Sequence, residues 1–159
     1  MSQISARREA ASTAAREHWV AERVFDWSGL PVTHLRPTFF AEWFVPGVYR
    51  AVRALTGDGR LRLPFGSGRH APIAARDQAR VIAAILERPT KHAGQTYSLY
   101  GSVEGTHFDH AEAIGRVLGK EIVYEPIAVE EFADNLRALA PQATAPDPAS
   151  VLRGARLSE

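Results

Sequence analysis

The chain is expected to fold as α/β layers that contain at least part of a parallel sheet. Three observations predict this. Apolar residues at helical spacing alternate along the chain with short β-prone runs, so helix and strand follow one another. Glycine and proline punctuate the boundaries between these runs. The 159 residues are 45% hydrophobic and 23% charged, the length and balance of one ordinary globular domain able to bury roughly 68–70% of its unfolded surface.

The elements follow in order. Ser12-Thr13 before an Ala-rich run offers an N-cap, and Val20, Val24 and Trp27 stand at i, i+4 and i+7, with Ala21 and Phe25 beside them. This spacing predicts a helix with one stripe on a core, Trp27 included, closed by Gly29 as a C′ residue. Pro31 to Leu35 reads as a buried strand stopped by Pro37. Phe40, Phe44, Val48, Ala51, Val52 and Leu55 repeat the helical spacing, and Pro46 within them should kink or restart that helix near Val45. Gly57-Asp58-Gly59 and Gly66-Ser67-Gly68 are turns around a strand at Leu61–Leu63. A long helix starts near Ala75, with Ala79, Ile82, Ala83 and Leu86 expected inside and Pro89 as its stop. Asp77 in its first turn suits the helix dipole or a salt bridge to Arg69 or Arg76.

Gln95 to Leu99 is a predicted strand. Thr106 and Asp109 form a capping-box start for a helix that should bury Ala111, Ile114, Gly115 and Leu118 and end at Gly119. Ile122 to Ile127 alternates as a half-buried strand, and Phe132, Leu136 and Leu139 mark a last amphipathic helix. Beyond Pro141 the composition turns to Ala, Pro, Asp and Ser, as in a mobile tail. This divides the chain into a body of residues 1–140 and a tail of 141–159. No internal repeat is present.

Composition excludes several classes. Lys plus Arg number 19 and Asp plus Glu 18, a net charge of +1, which gives no electrostatic footprint for nucleic acid or an anionic membrane. The absence of cysteine removes disulfide frameworks, thiolate catalysis and Cys-based zinc sites together. No apolar run approaches the ~18 residues that span a bilayer, and Met1 to Ala15 lack the apolar stretch of a signal peptide. A cytoplasmic protein is expected. His107, His110 and Glu112 begin one helix without an evident third inward ligand, so they read as solvated histidines with no metal. Gly66-Ser67-Gly68 lacks the preceding long strand and third glycine of a phosphate loop. The chain also does not open with the strand and glycine-rich turn of a complete doubly wound domain.

The stretch His18 to Trp43, HWVAERVFDWSGLPVTHLRPTFFAEW, resembles the NmrA-like branch of the atypical short-chain dehydrogenases. So do Phe65 to Ala83 (FGSGRHAPIAARDQARVIA), Ala93 to Gly101 (AGQTYSLYG) and Phe108 to Tyr124 (FDHAEAIGRVLGKEIVY), in the order and at the distances that family shows. The resemblance runs from Ser2 to about Leu136. It implies the carboxy-terminal half of an NAD(P)-binding domain: the last strands and helices of a Rossmann-like parallel sheet plus a small α/β substrate-side lobe.

In that family a Ser, a Tyr and a Lys carry the proton chemistry, the last two one helical turn apart. Aligned on the SGL end of the helix, the Lys slot falls on His18, the Tyr slot on Ala14, and Ser2 lies near the family's Ser. Ala14 cannot transfer a proton, so no catalytic residue is assigned. His18 can hydrogen-bond a nicotinamide ribose hydroxyl or titrate near neutral pH; the bland reading is a histidine packing beside Trp19. Pro37, Thr38, Phe39 and Phe40 follow a sheet strand, where ligands of open α/β sheets lie, and the resemblance implies that they touch the nicotinamide; otherwise they are core aromatics leading a helix. Trp43 and Tyr49 are placed on the substrate side.

The implied cofactor is NADP or NAD, and the implied partners are a small-molecule substrate and either a second copy of the chain in a homo-oligomer or a separate amino-terminal half. Three readings stay open: part of an NAD(P)-dependent oxidoreductase acting on a small organic acceptor, a dinucleotide-sensing regulator without turnover, or an inactive remnant that needs a partner half.

Overall fold

Helices and strands are interspersed along the computed structural model, which describes residues 1–44 and 58–139, although strands follow one another directly at Arg60–Leu63 and Arg69–His70 and at Thr96–Leu99 and Gly105–Thr106. The expected kink at Pro46, Tyr49 with the rest of the helical pattern through Leu55, the side chains of Leu136 and Leu139, and the segment beyond Pro141 lie outside the described residues. The chain forms two units, each made of separated stretches: one from Met1–Ala41 and Ala71–Val103, the other from Glu42–His70 and Glu104–Glu159.

The first unit starts with α1 (Thr13–Trp27), whose N-cap Ser12 accepts from the Ala15 amide as its sequence suggests. Strand β1 (His34–Pro37) pairs in parallel with β4 (Thr96–Leu99), Leu35 opposite Tyr97 and Pro37 opposite Leu99. The strand falls later than the expected Pro31–Leu35 and includes Pro37 instead of ending before it. The ladder explains this. The His34 amide donates to Gln95, just before β4, and the Thr38 amide to Leu99 at its end, while the Leu35 and Pro37 carbonyls point the other way and accept from the Ser2 and Ile4 amides. Alternation along a strand therefore places the N–H that Pro37 lacks on the side away from β4.

Parallel neighbours need a crossover, and α2 (Ala75–Glu87) lies on it. Its inward residues are Val81, Ile82 and Ile85, packed on Leu35, Ile73 and Leu99, with Gln78 buried among the same turns. Ala79, Ala83 and Leu86 are exposed, so of the four residues expected inside only Ile82 is. The difference is a rotation of the helix by about one residue, which brings the β-branched side chains onto the sheet. Asp77 pairs with Arg80 at 3.1 Å, one turn along its own helix, in place of Arg69 or Arg76. As expected, α2 ends just before Pro89, at Glu87; Pro89 then opens a separate single turn, α3 (Pro89–His92), as its fixed φ at a first helical position allows.

The stripe expected to bury α1 is on its outer face: Val20, Val24 and Trp27 are all exposed, Trp27 at 77%. The inner face carries Ala15 and a glutamate, Glu22, instead.

The second unit holds β2 (Arg60–Leu63) in parallel with β6 (Val123–Pro126), Leu61 opposite Tyr124. A short antiparallel pair, β3 (Arg69–His70) and β5 (Gly105–Thr106), stands beside it in sequence. Helix α4 (His107–Leu118) starts on the predicted capping box, with Thr106 and Asp109 satisfying each other's backbone, and ends on Gly119 at φ 65°, a left-handed conformation that glycine adopts without a Cβ penalty. Leu118 is exposed, as the last turn runs off the core. Helix α5 (Val129–Leu139) adds Phe132 to a core of Leu61, Leu63, Ala111, Ile122 and Tyr124. The Tyr124 hydroxyl donates to the Leu63 carbonyl at 3.1 Å, so its polar end is satisfied inside this core.

Candidate functional site

The candidate site of the first unit is built at the carboxyl ends of β1 and β4. Past Pro37 the chain is pinned at every step: the Thr38 amide donates to Leu99 O at 2.9 Å, and its hydroxyl to Ala71 O at 2.7 Å. Ile73 N donates to Phe39 O at 3.1 Å and Ala41 N to Ile73 O at 3.0 Å. Gly101, just beyond β4, also donates to Ala71 O, at 2.9 Å. One carbonyl thus ties both strand exits to the Ala71–Ile73 segment. A Cβ added at Gly101 would lie 1.9 Å from Pro72 O, so only glycine permits this approach.

The height of α1 on β1 is set by two polar contacts. Asp26 Oδ1 meets His34 Nε2 at 2.7 Å, and Glu22 accepts from Arg36 Nε at 2.8 Å and Nη2 at 2.5 Å. Four helical residues rise about 6 Å and two strand residues about 6.6 Å, so the helix runs antiparallel to the strand in step with it. Its His18 end therefore lies toward the carboxyl end of β1. Burial pushes the Glu22 carboxyl up, but the Arg36 hydrogen bonds, the Ser2 hydroxyl and the Arg36 charge outweigh it and hold the group below its ordinary value.

His18, Thr38, Phe39 and Phe40 are half-buried and Pro37 is buried. His18 and the Pro37–Phe40 segment therefore fall at one end of one unit. Trp43 is half-buried in the other unit, on the 3-10 turn Ala41–Phe44. Tyr49 is outside the described residues. Ala71, Pro72 and Gly101 were missed by pattern reasoning, because their contribution is backbone; the glycine after a predicted strand was the one available signal.

His107 and His110 are not solvated. His107 is fully buried, its ring stacked on Phe65 at 4.6 Å, with His70 at 5.0 Å and His110 at 5.4 Å. A helix start is ordinarily wet, but Phe65 and Phe44 fold over this one from distant sequence. Burial, then the neighbouring His70 and His110, pull the His107 pKa down to about 3. Burial likewise lowers His70, aided by His110 and opposed by Glu104, and lowers His110 against the pull of Asp109. No group of three or more His, Cys, Asp or Glu fit to hold a metal occurs among the described residues.

A scan of the chain against protein-family models finds no match. The (4-alkanoyl-5-oxo-2,5-dihydrofuran-3-yl)methyl phosphate reductase of Streptomyces griseus is 33% identical over 123 residues, 72% of this chain and 39% of the relative. The NAD(P)H azoreductase of Xenophilus azovorans is 28% identical over 104 residues, 65% of this chain and 35% of the relative. Among solved structures, a nucleoside-diphosphate-sugar epimerase from Staphylococcus aureus aligns with a TM-score of 0.79 and 23% identity over 97% of this chain and 52% of that one. The triphenylmethane reductase of Citrobacter sp., complexed with NADP(H), aligns at 0.72 and 25%, over 96% and 51%. The chain spans well under half the length of these two curated relatives and about half that of the solved structures. Its α/β architecture, a partial Rossmann-like parallel sheet with a smaller α/β lobe, is thus the one these epimerase and reductase structures share.

Proposed function

We propose that this chain is an NmrA-like, NAD(P)-binding polypeptide, the carboxy-terminal portion of an oxidoreductase that acts on a small organic acceptor in the cytoplasm. The observation that carries the reading is the pairing of Glu22 with Arg36 and of Asp26 with His34, which runs α1 antiparallel to β1 and turns the His18 end of the helix toward the carboxyl end of the strand. Ligands of open α/β sheets lie at that end. The relatives support the reading through their own names: an NAD(P)H azoreductase, a (4-alkanoyl-5-oxo-2,5-dihydrofuran-3-yl)methyl phosphate reductase, and a triphenylmethane reductase complexed with NADP(H).

The residues present fit the nicotinamide end of the cofactor and not its phosphates. Among the described residues there is no glycine-rich loop opening a helix after a strand; Gly66-Ser67-Gly68 closes on itself, with Gly68 N donating to Phe65 O at 2.9 Å. The diphosphate would be held by other polypeptide, from a separate amino-terminal half or a longer chain. When bound, NAD(P)H supplies the hydride equivalent. In this chain Thr38 to Phe40 floor the nicotinamide, and His18 hydrogen-bonds its ribose or delivers the proton that accompanies reduction.

A second reading, a dinucleotide-sensing regulator without turnover, is favoured by Ala14, which leaves no phenol in the position where the family holds its proton donor.

Titrating the chain into NADPH and following nicotinamide fluorescence tests both. Binding that His18→Ala weakens at least threefold, with steady oxidation once a quinone is added, supports the oxidoreductase. Binding without oxidation supports the regulator. No fluorescence change at millimolar protein overturns cofactor binding by this chain alone.

A further inference from the structure

The sheet-facing stripe of α2 begins with a glutamine. Val81, Ile82 and Ile85 pack on Leu35, Ile73 and Leu99, and Gln78 stands three, four and seven residues before them, on the same stripe but nearer the helix start. The position holds a primary amide that is 3% exposed. Its Nε2 is enclosed and has no hydrogen-bond partner among the described residues, while its backbone amide makes the ordinary helical bond to Ala74 O at 3.1 Å.

Hydrogen bonds at both ends of the helix place this residue. Ile73 donates to Phe39 O and accepts from Ala41 N, just past β1, and α2 opens two residues later at Ala75. Beyond its far end, Gly94 donates to Val32 O, ahead of β1. The helix therefore runs from the carboxyl ends of the strands to their amino ends, and Gln78 lies toward the strand exits. An enclosed amide without a partner has given up its bonds to water and gained none in return. A methionine would fill the stripe without that loss. In a native fold such a group calls for a partner that the chain itself does not supply.

We propose that the Gln78 side chain recognises the carboxamide of the nicotinamide, an assignment that rests on the cofactor reading given above. A primary amide offers donors on nitrogen and an acceptor on oxygen, and a carboxamide offers the same set. The two can exchange a pair of hydrogen bonds, Gln78 Nε2–H donating to the carboxamide oxygen and the carboxamide N–H donating to Gln78 Oε1. Three side-chain torsions let the amide turn toward the strand exits without moving the helix. Thr38 to Phe40 floor the ring in this arrangement, and Gln78 reads its substituent.

Side-chain amide NMR of the full chain tests this. The Gln78 NH2 signals, assigned by their loss in Gln78→Met, are expected to shift on titration with NADPH and with free nicotinamide. Gln78→Met should bind NADPH about fivefold more weakly, the contribution of one neutral hydrogen bond, while melting about 2–4 °C higher because the unpaired amide is gone. The reduced acetylpyridine analogue of NADPH has a methyl group in place of the carboxamide nitrogen. The parent should bind it about fivefold more weakly than NADPH, and in Gln78→Met that difference should fall below about twofold. Equal NADPH affinity in parent and variant, whatever the melting temperature, would overturn the role of Gln78 and leave cofactor binding standing. If NADPH binds to neither, the cofactor reading falls, and free nicotinamide at millimolar concentration decides: shifted Gln78 NH2 signals keep the carboxamide contact, and unmoved ones end it.

Discussion

Glu22 and Arg36 join α1 to β1 through two hydrogen bonds, although the Glu22 side chain is only 2% exposed. Removing one partner of such a pair strands a charge in the interior, which costs far more than the pair itself contributes. Arg36→Met is expected to destabilise the first unit by about 3 kcal/mol, the low end for a buried pair because the guanidinium keeps some solvent. Glu22→Leu with Arg36→Met should recover most of this. Urea midpoints of the single and double variants check it; a double variant no better than Arg36→Met would sink the account.

Gly101→Ala drives a methyl group onto the Pro72 carbonyl. With a 1.9 Å approach to backbone, the Ala71–Ile73 segment must move, and a loss of about 3 kcal/mol is expected. Amide shifts of Thr38 and Ile73 should change with it, since they share that segment.

Both ends of α4 are set by local chemistry. Thr106→Ala breaks the capping box and is expected to cost about 1 kcal/mol. Gly119→Ala forces a side chain into a left-handed backbone and should cost about 1 kcal/mol as well. Thermal melts of the two single variants and the pair should show additive losses, the ends being far enough apart not to couple.

Acid should weaken the fold in two stages. His107, drawn from 6.5 to about 3, is a base with a depressed pKa. It binds its proton more readily when unfolded, so its contribution is whole above pH 6.5 and declines as pH falls from there towards 3. Glu22, held below its ordinary value of 4.5, adds a second loss that begins only below that pH. Urea midpoints measured from pH 8 to 4 should therefore start to fall near pH 6.5 in the parent chain. In His107→Phe the part of that early fall due to this ring should be absent.

Much of this architecture was legible because its signals are local. Ser12 caps α1, Thr106 and Asp109 box α4, Gly119 ends it, and each works through neighbours a few residues away. The orientation of α1 was not legible. Its apolar residues Val20, Val24 and Trp27 form a regular stripe, and only Arg36, arriving from the following strand, makes burial of Glu22 the better solution. The burial of His107 depends in the same way on Phe65, far off in sequence. At the candidate site, that Thr38 to Phe40 lead out of a strand was legible from the β-prone run before Pro37, whereas their assignment to a nicotinamide rests on the family resemblance. The part played by Ala71 and Gly101 could not, since carbonyls and amides carry no residue-specific signature.

The interleaving of the two units has a consequence for biosynthesis. Strand β2 emerges from the ribosome long before its partner, since the Tyr124 to Leu63 bond closes a span of 61 residues. Until then its backbone edge stays open, and the first unit must complete its own sheet in the interval. A translational pause placed after Val103 would let one body mature while the other waits, whereas a nascent chain arrested before Val123 would present an unpaired strand to chaperones.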